Sequence, residues 1–138
     1  FEALKYDADL VKPNLQELQS TLKITINSKE EMLYGCRELL KRGAKRVLLS
    51  LGKEGAVITD GSESYYCKSI NVAMNSTIGA GDGMVAAATF ALAKGGSLKE
   101  ILRCGVAGGT AAVTTPDSIT FKREKYEEIL NGLEVTEL

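Results

Sequence analysis

Apolar and polar positions along the 138 residues change period several times, and each change marks an element. Asp9–Lys12 (DLVK) reads as a short strand stopped by Pro13, because the residue before a proline is steered away from helix while proline itself opens a turn or helix. From Asn14, NLQELQSTL reads as a short helix. Ser28 and Glu31 stand at capping-box spacing. Met32, Leu33, Cys36, Leu39 and Leu40 then recur on one helical face until Gly43, a natural stop. Arg46–Leu51 (RVLLSL) carries the continuous apolar run of a buried, parallel strand. GKEG follows, and then AVITD and SYYCKS read as two strands joined by a turn at Asp60-Gly61.

The second half turns helical. A helix from about Gly81 to Lys94 is nearly all small or apolar and ends at Gly95-Gly96. Ser97 and Glu100 repeat the capping-box spacing and begin SLKEILRCGVAGGTAAVT. Pro116-Asp117 marks a loop, and Lys122–Leu130 reads as an amphipathic final helix. The order predicts an α/β layered domain in which helices cover a mainly parallel sheet. No repeat, low-complexity tract or linker divides it, so residues 1–138 read as one unit.

Composition narrows the function. A hydrophobic share of 44% at this length suits a single core. The net charge of −1 and the lack of a basic stripe argue against a nucleic-acid partner. No apolar run is long enough to span a bilayer and no signal-peptide pattern opens the chain, which makes no membrane partner and the cytoplasm the default expectation. The chain has no histidine, which excludes Ser-His triads, histidine acid–base chemistry and histidine metal sites. Any general base is a carboxylate, Lys, Tyr or Cys. Cys36, Cys67 and Cys104 form no C-x-x-C pair and read as structural thiols. The opening FEALKYDADL, without methionine, reads as the later part of a longer protein.

Ligand sites in open α/β sheets lie at the carboxyl ends of strands, and three segments fall there. In IGAGD, a helix starting near Gly81 would point the amides of Gly79, Ala80 and Gly81 outward together, with roughly half a positive charge from the helix dipole. That suits a transferring phosphoryl group, with Asp82 beside it to accept a proton. The same residues suit a glycine-rich helix start with an acidic first turn. In SLGKEG, Gly52 and Gly55 permit either a nucleotide lying close above the backbone or a plain turn between Leu51 and Ala56. In KPNLQE, Asn14 and Glu17 form a capping box, or orient water around Mg²⁺. In CGVAGGTAAVTT, Gly105, Gly108 and Gly109 cost the helix about 1 kcal/mol each relative to alanine. Close packing is one reason for such a cost, and a flat adenine on a smooth face is another.

Taken together, KPN-x-x-E, S-L-G-x-x-G, N-S-T-x-G-A-G-D and the Gly/Ala-rich helix resemble the PfkB branch of the ribokinase-like sugar kinases, in that family's order from about Ala8 to Thr115. Within it, KPN followed by SLG is most similar to the phosphofructokinase and tagatose-phosphate kinase group. The resemblance implies a ribokinase-like layered fold of which this chain is the carboxy-terminal nucleotide-binding half, without the amino-terminal half and its lid. It implies a parent that phosphorylates a ketohexose phosphate with ATP, fructose 1-phosphate favoured, giving fructose 1,6-bisphosphate.

It also assigns roles. Asp82 is the base, and Gly79, Ala80 and Gly81 form the anion hole. Lys12, Asn14, Ser50, Gly52 and Gly55 meet the nucleotide phosphates and backbone face, with Glu17 serving Mg²⁺. Val106, Gly109 and Thr110 lie near the adenine. Potassium binds in some members, here near Ile78, Ala112 and Thr115, and the parent dimerises through its lid. One departure is visible: the family's usual Pro-Gly-Thr loop reads TPDSI here, with Asp117 in place of glycine. The other readings are a kinase of another sugar or nucleoside in the same fold or, for this chain alone, a non-catalytic nucleotide-binding fragment.

Overall fold

Asn14 opens the first helix, α1 (Leu15–Leu22), with the two-way capping box that its spacing to Glu17 predicts. The second helix, α2 (Lys29–Lys41), starts at Ser28, whose Oγ accepts the Glu31 amide at 3.1 Å. Cys36 and Leu39 are its buried stripe, with Met32, Leu33 and Leu40 packed beside them. The computed structural model describes residues 9–69, 80–113 and 123–138.

Among the described residues four strands form one sheet of order β1-β2-β3-β4: β1 (Val47–Ser50), β2 (Ala56–Thr59), β3 (Ser64–Cys67) and β4 (Val135–Glu137). All three ladders are antiparallel. The layered α/β architecture stands, but the expectation of mainly parallel pairing is corrected for these strands. Parallel pairing occurs where the Leu10–Asn14 segment meets β1, through Val11 with Val47 and Asn14 with Ser50. The reason is loop length. A parallel connection needs about a dozen residues or more, and Leu51–Gly55 permits only a hairpin. The DLVK segment is accordingly a bridged edge rather than a full strand.

Continuous hydrophobicity in these strands reflects burial on both faces. Val47, Leu49 and Val57 face one core with Leu18, Cys36 and Leu39 of α1 and α2. Leu48, Ala56, Ile58, Tyr65 and Cys67 face a second core, built with α3 (Ala80–Ala93), α4 (Leu98–Val113) and α5 (Arg123–Gly132). Helix α4 lies on β2 and β3, while α3 packs along α4. The turn between them is held by Gly96 N–H donating to Ala91 O at 2.9 Å, and Ser97 Oγ accepts the Glu100 amide at 3.3 Å to start α4. Among the described residues no helix is long and apolar enough to cross a membrane.

Candidate functional site

Register carries the separate motifs to one edge of the sheet. Ser50 pairs with Ala56, and Ala56 with Cys67, so the ends of β1 and β3 share an edge with the start of β2. Asn14 bridges to Ser50 at that edge. Ser50 donates its N–H to Pro13 O at 3.0 Å and its hydroxyl to the same oxygen at 3.4 Å. Two residues beyond β3, Ser69 Oγ lies 3.1 Å from Thr110 Oγ1, which places the later turns of α4 there too. A Cβ added to Gly108 would collide with Gly83 O, so the first turns of α3 run beside that part of α4. Ala80, Gly81 and Asp82 are the first three residues of α3. KPN, SLGKEG and the start of the GAGD helix thus stand together at one end of the sheet.

The individual residues differ in what already occupies them. Asn14 Oδ1 accepts the Glu17 amide at 2.7 Å, and Glu17 Oε1 accepts the Asn14 amide at 2.9 Å, so the capping box is realised. Both side chains are exposed. A carboxylate has about four lone-pair positions, so one capping bond leaves acceptors facing solvent. Lys12 is half-buried between the two residues that contact β1. Magnesium keeps several waters and takes one or two carboxylates with substrate phosphates, which an exposed Glu17 at this edge fits. Among the described residues no cluster of three or more metal-ligating side chains exists.

The SLGKEG loop is a single 3₁₀ turn over Gly52–Glu54. Its two glycines do different work. Gly52 has φ +61° and is exposed, and nothing lies within 4 Å of an added Cβ. Gly55 has φ +101° and is buried, and an added Cβ would collide with Cys67 O. Gly55 is therefore demanded by the close approach of β3, while Gly52 leaves its outer side open to an incoming group.

On α4 the glycines are chiefly packing residues. Gly105 fits against Leu48, Ala88 and Met84, and Gly108 against Gly83 and Ala87. Val106 is 2% exposed and belongs to the core. Gly109 is buried, and Thr110 is buried with its hydroxyl paired to Ser69. Gly79 lies outside the described residues, as do Ile78, Thr115 and Asp117 of the expected potassium surroundings; Ala112 is within α4. Sequence reasoning missed Tyr66 and Ser69, whose bonds reach the site from β3 and its end. Their hydroxyls gave no local signal, because both partners lie far along the chain.

The model of the pfkB family carbohydrate kinases matches residues 1–125. The chain belongs to that family. Among curated pfkB relatives, the ATP-dependent 6-phosphofructokinase isozyme 2 of Escherichia coli is 40% identical over 75% of this chain and 34% of its own length. The 1-phosphofructokinase of Rhodobacter capsulatus is 35% identical over 80% of this chain and 35% of its own. Phosphofructokinase-2 from Escherichia coli, solved in complex with substrates and products and also with potassium, superposes with a TM-score of 0.87 at 34% identity. It covers 94% of this chain, which spans 43% of that structure. The chain thus has the ribokinase-like fold of the sugar kinases over less than half the length of these pfkB relatives.

Proposed function

We propose that the protein carrying this sequence transfers the γ-phosphoryl group of ATP to a hydroxyl of a phosphorylated ketohexose, in the cytoplasm. Three free cysteines suit a reducing compartment. Fructose 1-phosphate is the favoured acceptor on the KPN and SLG motifs. Relatives named as 6-phosphofructokinases make fructose 6-phosphate its direct competitor. The observation carrying the reading is the convergence of three pfkB motifs, distant in sequence, on one end of the sheet.

In this reading Asp82 takes the proton from the attacking hydroxyl. The amides of Gly79, Ala80 and Gly81 face the charge developing on the transferred group, where the helix dipole favours an anion. Lys12, Asn14 and Ser50 meet the phosphate side of the nucleotide, which lies over Gly52 above a loop that Gly55 seats on β3. Gly109 and Thr110 lie beside the adenine, with Val106 packed behind them. Glu17 would serve Mg²⁺, which neutralises phosphate charge when bound. Potassium is a further ligand of the same neighbourhood, and a homodimer through the lid the parent's assembly.

A coupled ATP-consumption assay of the complete kinase tests this, with fructose 1-phosphate, fructose 6-phosphate, tagatose 6-phosphate, ribose and adenosine as acceptors. Turnover is expected on one sugar phosphate. Asp82→Asn should lower kcat by at least about a hundredfold, the lower range for positioned acid–base catalysis, while ATP binding stays near wild type. Wild-type turnover in that variant would sink the assignment. A second reading is favoured by the chain's 43% coverage of the Escherichia coli structure: alone, these residues bind nucleotide without catalysing transfer. Titration of ATP into the 138-residue chain separates that from an inert fragment.

A further inference from the structure

We propose that Tyr66 is a positioning residue for the nucleotide, acting through the Gly52–Glu54 turn; this rests on the nucleotide reading above. The turn's own hydrogen bonds close it on itself: Leu51 N–H donates to Gly55 O at 2.8 Å, Glu54 N–H to Leu51 O at 3.2 Å, and Gly55 N–H to Gly52 O at 3.2 Å. Such bonds fix the shape of a turn but not its tilt against the sheet. The tilt is fixed from β3. Just past the turn, Gly55 lies against Cys67 O with no room for a Cβ. At the last residue of the turn, Tyr66 Oη donates to Glu54 O at 2.5 Å.

Tyr66 is well placed to act as a strut. It stands at a middle position of its strand, in register with Val57 on β2 and Thr136 on β4. Its ring lines an apolar cleft of about 380 Å³ with Leu15, Met32, Leu51 and Val57. Burial first, and then the nearby Glu54 carboxylate, hold its hydroxyl above the ordinary phenol value, so it remains a donor throughout the neutral range. With this hydroxyl gone, the Glu54 carbonyl turns to water and the turn pivots about Gly55. Gly52 then leaves the position in which its open side faces the ligand.

The test uses the 138-residue chain, ATP titrated by calorimetry, and three proteins: wild type, Tyr66→Phe and Thr59→Val. Thr59 serves as the folding control. Its buried hydroxyl bonds to Glu63 O at 3.0 Å and to the Gly61 amide at 3.1 Å, at the opposite edge of the sheet. Tyr66→Phe should weaken ATP binding about fivefold, the worth of one ordinary hydrogen bond, with a nearly unchanged melting temperature. Amide exchange should accelerate at Glu54 and Gly55 but not within β1 or β2. Thr59→Val should lower the melting temperature and leave the ATP Kd alone. Equal ATP affinity in wild type and Tyr66→Phe would overturn the inference and leave the nucleotide reading standing. Equal weakening by both variants would overturn it too, as a general effect of stability. A wild-type chain that binds no ATP at millimolar concentration would instead remove the nucleotide reading of this chain, and the role of Tyr66 with it.

Discussion

The two helical layers of this sheet are finished differently. On one face, α2 buries Gly35, Cys36 and Leu39 and turns Glu30, Glu31, Arg37 and Lys41 to solvent, with Lys41 paired to Glu38 at 3.1 Å. On the other, α3 buries Met84, Ala88 and Ala91, and among its described residues the outward positions carry no charge: Val85, Ala86, Phe90 and Ala93 are apolar, and Thr89 is the one polar side chain among them. Phe90 is 64% exposed, more than any other large hydrophobic residue described. A helix that is apolar on nearly every side belongs inside a larger core. The first layer is complete against water, whereas the second has a flank suited to burial, in a chain that spans less than half of its solved relative.

Packing tightness gives the sharpest test of this contrast. Gly108→Ala would drive a methyl group into Gly83 O and to 2.6 Å from Ala87 Cβ, and backbone cannot yield cheaply. A loss of about 2 kcal/mol is expected from denaturant unfolding. Gly35→Ala meets only side chains, Leu18 Cδ2 at 2.9 Å and Cγ at 3.3 Å and Leu22 Cδ1 at 3.5 Å, and gains helix propensity. Its net effect should stay within about 1 kcal/mol. Equal losses in the two variants would erase the distinction between the layers.

The buried thiols probe the two cores by pH. Burial pushes Cys36, in the α1–α2 core, from 9.0 up to about 12, against an opposing pull from Arg37. Burial pushes Cys67, in the α3–α4 core, up to about 11, with Arg103 opposing. A raised native value means that the folded chain keeps its proton after the unfolded chain has lost it. The associated stability is whole below about 9 and falls as pH rises towards 11 and 12. Melting temperatures should therefore drop above pH 9 by less in Cys36→Ala than in wild type, and Cys67→Ala should show a smaller relief. Parallel pH profiles for all three proteins would contradict this.

The smallest effect on folding is expected at the open flank. Phe90→Ser should change unfolding free energy by no more than about 0.5 kcal/mol, yet reduce self-association of the chain seen by light scattering. Tyr34→Ser, at the 53% exposed residue of α2, should leave association unchanged. If the two substitutions act alike, the flank of α3 is ordinary surface.

Much of this molecule was legible where neighbours in sequence are neighbours in space. The box at Asn14/Glu17, the Ser28 cap of α2, the Asp60-Gly61 turn and the apolar stripe of α2 are all local, and all are present, although Glu31 returns its carboxylate to the Asn27 amide and the Ser28 hydroxyl rather than to the Ser28 amide. What failed was distant. Strand β4 is three residues, two of them exposed, defined only by pairing with β3. The strand run RVLLSL revealed burial on both faces, and the parallel pairing inferred from it is met on the side of the Leu10–Asn14 segment; on the other side the short loop dictates an antiparallel partner, β2. For the site, the motifs and their order were visible, but not which glycine serves what. Gly52 and Gly55 look alike in sequence, and only the Cys67 carbonyl separates them.

The capping box at the start of α1 has one more consequence. Two polar side chains that the proposed function turns toward the ligand, Asn14 and Glu17, hold each other's backbone amides. Immobilising such a side chain on binding commonly costs about 0.5–1.5 kcal/mol of rotamer entropy. Here the restriction is met when the helix forms, long before any ligand arrives. The same two bonds that begin a helix leave this side of the site preorganised.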